Sequence, residues 1–453
     1  YKHPDFLNND LGSRIKNLWD QTSTNPNYFE SFYGYGASWT NSEIDSFKCT
    51  QAPNSHGSHV MGTAAGNARA SGKYIGIAPL ADLAAVRIST GSSFLAGFVD
   101  AVHYLFEKAD INGQPCSINS SVGAYTSGHD GLDLYSQLID LMLDEKSGRA
   151  LSQAAGNART YDFHYQASLQ NTISKLWFQR HTVRLKTHFK IYADTSNFNQ
   201  VNFSLQCMDP STLQPVAQTA IFNILQNFTF NGSVAQLSQV LWYDALGFPV
   251  ELEIYADQYE DSYEIYVSIN SFSDVGPWQL TTTGTGTFDI WSNESTTGTS
   301  NILKNIPVPD YKNPDNEQTI VGFWTCSDKV FTVASYQNRD FMVNYKHDTV
   351  ALYTNAYPKL GISFFSSLGP SRKGLQKPDI TAPGGQVMSA STISYMRDTN
   401  NTYLDEDGWH ISNRGTSMAA PMVAGAVALY LECKPYADYA DIKNALNNSA
   451  AYD

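Results

Sequence analysis

Between Asp82 and Gly123 the sequence runs strand, helix, strand, and this order restricts the fold more than anything else in the chain. DLAAVRI is a short apolar run ending in β-branched residues. In FLAGFVDAVHYLFEKA (Phe94 to Ala109), Phe94, Phe98, Val102 and Phe106 recur every fourth residue, the spacing of one helix face, and CSINSSVG reads as the next strand. Such a unit favours a parallel sheet with helices on both faces, an α/β architecture. The texture returns after Val330, where VFTVASY reads as a strand and SMAAPMVAGAVALYLECK as a helix rich in small residues. From about Thr160 to Thr325 it is different. RHTVRLKTHFKIYAD, VNFSLQC, FPVELEIYAD, YEIYVSI and GPWQLTTTGTGTFDIW alternate apolar and polar residues between Gly, Pro, Asn and Asp clusters. Many short strands with turns between them predict an antiparallel β-sandwich. The expected organisation is an α/β domain in two parts, residues 1–158 and 326–453, with a β-sandwich inserted at 159–325.

A length of 453 residues exceeds what one compact core usually holds, which agrees with two lobes. With 29 Lys plus Arg against 43 Asp plus Glu, the formal charge is −14, which argues against nucleic acid or an anionic membrane as partner. No apolar run is expected to span a membrane. The opening YKHPDFLNND is polar and is not a signal peptide. Because the chain opens on Tyr1 rather than Met, an upstream segment with any compartment signal is expected. Five cysteines, Cys49, Cys116, Cys207, Cys326 and Cys433, are scattered without a C-x-x-C pair. That disfavours a zinc site and a dense disulfide scaffold, while leaving one or two bridges open.

Two stretches carry chemistry, SHGSHVMGTAAGNA (Ser55 to Ala68) and RGTSMAAPMVAGAVALY (Arg414 to Tyr430). In the second, Gly415 permits a tight turn and Ser417 then opens a helix, whose first N–H groups favour developing negative charge. Pro421 is placed in the first turn, where its missing N–H costs little. Read alone, Ser417 is as well explained as an ordinary helix cap. In the first stretch His56 and His59 share a helix face, so a metal pair competes with a general base; the inverse zinc motifs need a nearby glutamate, which HGSH lacks.

The two stretches resemble the histidine and serine motifs of the subtilases, H-G-T-H-V-A-G and G-T-S-M-A-x-P, with Ser58 in place of Thr and Met61 in place of Ala. The likeness extends, in order, through YIGIAPLADLAAVRI, INSSVG, QAAGN and FFSSLGPSRKGLQKPDITAPG, nearly everything outside the β block. It implies a subtilisin-like three-layer fold, with a jelly-roll-like insert acting as clamp or spacer. The implied reaction is peptide hydrolysis by a serine endopeptidase. His56 would be the base, Ser417 the nucleophile, Asn157 the oxyanion donor and His59 a packing residue. Ser121, Val122 and Gly123 would bind a substrate strand, and Ala154, Ala155 and Gly156, with Gly123, would wall a roomy pocket for apolar side chains. No cofactor is required, and structural calcium is frequent in the family. The partners implied are peptide or protein substrates and a propeptide, and the location is secreted or cell-surface.

One departure matters. The family's catalytic aspartate precedes a Tyr-x-His-Pro-Asp-Phe run, and this chain opens on Tyr1-Lys2-His3-Pro4-Asp5-Phe6. The acid is expected just upstream of Tyr1; Asp5, Asp20 and Asp45 stand in unsuitable contexts. The alternatives are a truncated, nearly inactive pseudoprotease, or a carbohydrate-binding or adhesive surface protein that works through its β block.

Overall fold

The computed structural model describes residues 1–451 apart from 92, 126, 180–185, 231–234, 244–246, 272–275, 293–302, 323, 353–359 and 398–401. It divides into two compact units. The first comprises Tyr1–Gly123, Asp130–Asn157 and Val321–Asp453, the second Ala124–His129 and Ala158–Ile320.

The first unit opens with β1 (Ile15–Asp20), β2 (Ala37–Thr40), α1 (Asn41–Asp45), α2 (Ser55–Ala65), β3 (Leu83–Arg87), α3 (Phe94–Ile111), β4 (Cys116–Ser120), α4 (Leu134–Asp144) and β5 (Arg149–Ala154). The strand–helix–strand reading matches β3–α3–β4, and α3 buries Phe98, Ala101, Val102 and Phe106. Yet β3 and β4 do not pair with each other. β3 runs parallel to β1 in a sheet of order β2-β1-β3, while β4 runs parallel to β5 as the end strand of a second sheet.

The second unit contributes β6 (His164–Phe178), β7 (Lys186–Asp194), α5 (Thr195–Phe198), β8 (Gln200–Met208), β9 (Pro215–Gln218), β10 (Phe222–Asn223), α6 (Ile224–Asn227), β11 (Ala235–Tyr243), β12 (Pro249–Tyr259), β13 (Ser262–Asn270) and β14 (Trp278–Trp291). The first residues of RHTVRLKTHFKIYAD lie outside the described residues. The strands form one antiparallel network around a shared core that includes Leu176, Phe189, Phe203, Leu252, Ile265 and Phe288. β14 pairs with β6 along its whole length, and its other edge passes from β8 to β7. Close approach explains a glycine of GTG: at Gly286, with φ 152°, a Cβ would lie 1.8 Å from the Asn197 carbonyl oxygen.

Within this unit His164 is fully buried, its Nε2 2.9 Å from Asp289 and its Nδ1 3.5 Å from Asp315, with Trp291 stacked on its ring and His129 also stacked on that indole. Burial alone would lower its pKa. The two carboxylates outweigh burial and raise it, while Asp315, against the opposing effect of burial, is lowered by His164 and, more weakly, by the Glu317 N–H and Lys312. A raised folded pKa stabilises fully below the ordinary histidine value, and the gain is lost as pH rises through the folded one. The urea midpoint of the β unit should therefore fall as pH is raised from 6 towards 10, and His164→Gln should flatten that dependence; identical profiles would show that the cluster contributes nothing.

The first unit resumes with β15 (Phe331–Tyr336), β16 (Phe341–Val343), β17 (Thr349–Ala351), β18 (Ile380–Pro383), β19 (Val387–Ala390), α7 (Ile393–Met396), β20 (His410–Asn413), α8 (Thr416–Cys433) and α9 (Tyr439–Ser449). β15 pairs parallel with β5 and β18, completing the sheet β18-β15-β5-β4. Ala419, Ala420, Val423 and Val427 seat α8 against Ala150, Phe331 and Val333 of that sheet, and the two alanines are completely buried. Among the described residues α8 alone has the length and hydropathy of a membrane span, and more than half of it is buried inside the unit, as expected of a core helix. All five cysteines are free, so no bridge staples the fold.

Candidate active site

α8 begins at Thr416, with Gly415 as its cap. Gly415 has φ 143°, a conformation that a side chain would strain, and this turn delivers Ser417 as the second residue of the helix. Pro421 is the sixth helical residue, not part of the first turn as the sequence predicts. Its ring nitrogen cannot donate, so it leaves the carbonyl four residues back, that of Ser417, without its usual helical partner. Ser121 supplies the replacement. Its hydroxyl donates to the Ser417 carbonyl at 2.8 Å, and the Ser417 hydroxyl donates to the Ser121 carbonyl at 3.3 Å. The proline thus ties the strand end after β4 to the serine. Ser121→Ala should cost about 1 kcal/mol of stability by orphaning this carbonyl, and Ser121→Thr should restore most of it, as read by thermal unfolding.

Asn157 stands beside the same turn. Its Oδ1 accepts from both the Thr416 N–H and the Thr416 hydroxyl at 3.0 Å, and the Thr416 hydroxyl oxygen also accepts from the Gly156 N–H at 3.1 Å. Fixing Oδ1 as acceptor leaves the amide nitrogen as the atom that can donate. Thr416 is completely buried and Asn157 is exposed. The sequence reading missed Thr416 as the clamp on Asn157; a hydroxyl beside the serine is the only signal it left.

His56 is the second residue of α2, whose first turn is capped by Asn54 accepting from the Gly57 N–H at 2.7 Å. The imidazole opens to solvent on one side, while the surrounding protein holds its pKa below the ordinary histidine value, so it is neutral at pH 7. No hydrogen bond to its ring forms among the described residues, whether from a carboxylate or from Ser417. α2 and α8 are joined by the buried trio Val60, Val387 and Met418. His59 is fully buried with Nε2 3.0 Å from the Val387 carbonyl and 3.2 Å from that of Ile411, and burial lowers its pKa to about 4. It bonds across the core to β19 and β20 rather than sharing a site with His56.

Of the expected substrate residues, Ser121, Val122 and Gly123 follow the end of β4, with the Val122 carbonyl accepting from the Gln153 side chain. Ala155 is fully buried and Ala154 nearly so, leaving Gly156 as the accessible member of that segment. Ala155 and Gly156 are held by backbone bonds to Val333, Gly322 and Ser367.

Beside these groups lies a cavity of about 1450 Å³, lined by β3, by β4 with Ser121 and Val122, by His56 and by parts of β1, α2, α3 and α8. Both strands present an edge that pairs with no other strand among the described residues. Such edges are favourable only when covered or paired.

The subtilase family profile matches residues 2–453. The chain belongs to that family. This subtilase is 24% identical over 443 residues to the PIII-type proteinase of Lactococcus lactis subsp. cremoris (strain SK11), an alignment covering 94% of this chain and 20% of that protein. It is 38% identical over 90 residues, 20% of this chain and 10% of the relative, to the minor extracellular protease Vpr of Bacillus subtilis (strain 168). The chain spans no more than about half the length of the curated relatives it matches first. Its fold superposes on the CspB protease of Clostridium perfringens with a TM-score of 0.74 at 19% identity, covering 100% of this chain and 86% of that one. The α/β reading with parallel strand pairing and an added antiparallel unit therefore holds at the level of the fold, the parallel strands lying in two sheets among the described residues.

Proposed function

We propose that this subtilase domain is a serine endopeptidase that hydrolyses peptide bonds through an acyl-enzyme on Ser417. The observation that carries the reading is the start of α8. There a turn that only glycine adopts without strain sets the Ser417 hydroxyl at a helix N-terminus, and Thr416 orients the Asn157 amide beside it. His56, neutral at pH 7, takes the Ser417 proton as the hydroxyl attacks the scissile carbonyl, then returns it to the leaving amine. The Asn157 Nδ2 and the Ser417 N–H receive the oxyanion. Ser121 to Gly123 bind the substrate main chain and Gly156 borders its side chain. The substrates are peptides or proteins reached outside the cell or at its surface, in keeping with an extracellular relative.

The acid that orients His56 is proposed to come on a further strand, upstream of Tyr1, that fills the cavity between β3 and β4. That strand would pair with both free edges and join the two sheets into one. A second reading, a binding protein that has lost catalysis, draws on the absence of a carboxylate bonded to His56 among the described residues.

A fluorophosphonate probe decides between them. In the full-length protein it should label Ser417, and labelling should vanish in Ser417→Ala; label that persists in the variant would exclude Ser417 as the nucleophile, and no label at all would favour the binding protein. Asn157→Ala should lower kcat roughly a hundred- to a thousandfold with little change in KM. An unchanged kcat would assign the oxyanion to another donor.

A further inference from the structure

A second constellation of reactive side chains lies in the first unit, away from the serine. His3, Asp5 and His410 are all buried, and one ligand atom from each lies within 4.8 Å of the other two. Asp5 Oδ2 stands 2.9 Å from His410 Nε2 and 3.9 Å from His3 Nδ1. Asp5 Oδ2 is thus the vertex that the two imidazoles share. Three corners of a zinc tetrahedron, with ligands at 2.0–2.2 Å, are about 3.4 Å apart. The edges of 2.9 and 3.9 Å each lie within about half an ångström of that separation.

The outer contacts are those of metal-binding histidines. His3 Nε2 lies 3.0 Å from the Trp409 carbonyl, which can only accept, so the His3 proton sits on Nε2 and the lone pair on Nδ1. That lone pair now receives only a long bond, 3.2 Å, from the Asp5 N–H. His410 Nδ1 is 2.6 Å from Asp407 Oδ2, which also accepts from the Ser71 hydroxyl at 2.7 Å. Asp5 Oδ1 accepts from the Ala70 N–H at 2.7 Å, leaving Oδ2 turned towards the two imidazoles. Partners on the outer atoms of His3, Asp5 and His410 fix their tautomer and ring orientation, as in metal sites, and to ligate an ion His3 Nδ1 exchanges its long bond to the Asp5 N–H for the metal.

We propose that His3, Asp5 and His410 form a three-ligand site for a borderline divalent metal ion, with Zn²⁺ the best match. Two nitrogens and one carboxylate suit Zn²⁺ or a neighbouring transition ion, whereas Ca²⁺ asks for six to eight oxygens. A water or the second Asp5 oxygen completes the coordination. On binding, the hydrogen shared between His410 Nε2 and Asp5 is released to solvent and the metal takes its place. The ion would clasp the start of the chain, at His3 and Asp5, to β20, the strand that leads through Gly415 to Ser417. It takes no part in the peptidase chemistry.

Full-length protein freed of metal by chelator should bind one Zn²⁺ per chain with micromolar or tighter affinity in competition with a chromophoric chelator. Co²⁺ at the same site should give the visible absorption of a four- or five-coordinate ion. His3→Gln should abolish stoichiometric binding, and Asp407→Asn, which alters only an outer partner, should weaken it ten- to a hundredfold. Zn²⁺ should raise the Tm of the parent protein but not that of His3→Gln. Absence of stoichiometric binding, or binding unchanged in both variants, would overturn the proposal and leave the cluster as a buried ion network. Should His3→Gln fail to fold, the Asp407→Asn affinity still decides the matter.

Discussion

Ser417→Ala in the full-length protein is expected to lower kcat about a millionfold, as loss of the nucleophile does in a related triad, with unfolding behaviour close to that of the parent. The small structural cost follows from the contacts. The hydroxyl makes one long bond, 3.3 Å to the Ser121 carbonyl, whereas the turn is held by the Thr416 N–H and hydroxyl donating to Asn157 and by the Ser417 carbonyl accepting from the Ser121 hydroxyl, none of which the substitution touches. A steady-state assay with a chromogenic peptide and a thermal melt of the same samples separate the two effects. Activity within a factor of ten of the parent would show that another residue is the nucleophile.

The second large effect concerns the cavity between β3 and β4. If the strand proposed there carries the acid that holds His56, the isolated segment Tyr1–Asp453 should fall on the order of ten thousandfold in kcat relative to the full-length protein. Its structure should suffer as well. Leu83 is buried, but Ala84 is exposed, and the other residues of β3 are only partly covered although the strand is largely apolar. Backbone amides of Leu83–Arg87 and Cys116–Ser120 should exchange rapidly in the isolated segment and slowly in the full-length protein. Full peptidase activity from material whose intact mass corresponds to Tyr1–Asp453 alone would show that the acid is placed wrongly.

How far the sequence can be read depends on how local each feature is. The crossover β3–α3–β4 is written in the spacing of Phe94, Phe98, Val102 and Phe106, and α8 in a run of small apolar residues. Both are short-range patterns, and both helices extend to within two residues of the stretches in which they are read, while β4 stops three residues short of its stretch. Pro421 was misjudged because helix numbering depends on where the cap falls, and the compensating hydroxyl of Ser121 is 296 residues from the carbonyl it serves. The clamp of Thr416 on Asn157 spans 259 residues, and the His3, Asp5, His410 cluster more than 400. No periodicity records such meetings; they exist only once the sheet has brought the segments together.

The first unit is threaded by the second, and this bears on how the chain reaches its native state. β5 must find β15, with Phe331 registered against Ser152, across about 180 residues of intervening chain, and closing so long a loop is slow. The β unit shortens the search if it folds first. In β6, His164 pairs with Trp291 of β14, and its backbone also exchanges hydrogen bonds with Asp315 in both directions. Once those contacts exist, the effective loop between Ser152 and Phe331 shrinks to roughly thirty residues, which lowers the closure entropy by about 1.5 kcal/mol. The nucleophile, beyond β15 in the last segment to be made, is then assembled late, after the insert has drawn the two flanks of its sheet towards each other.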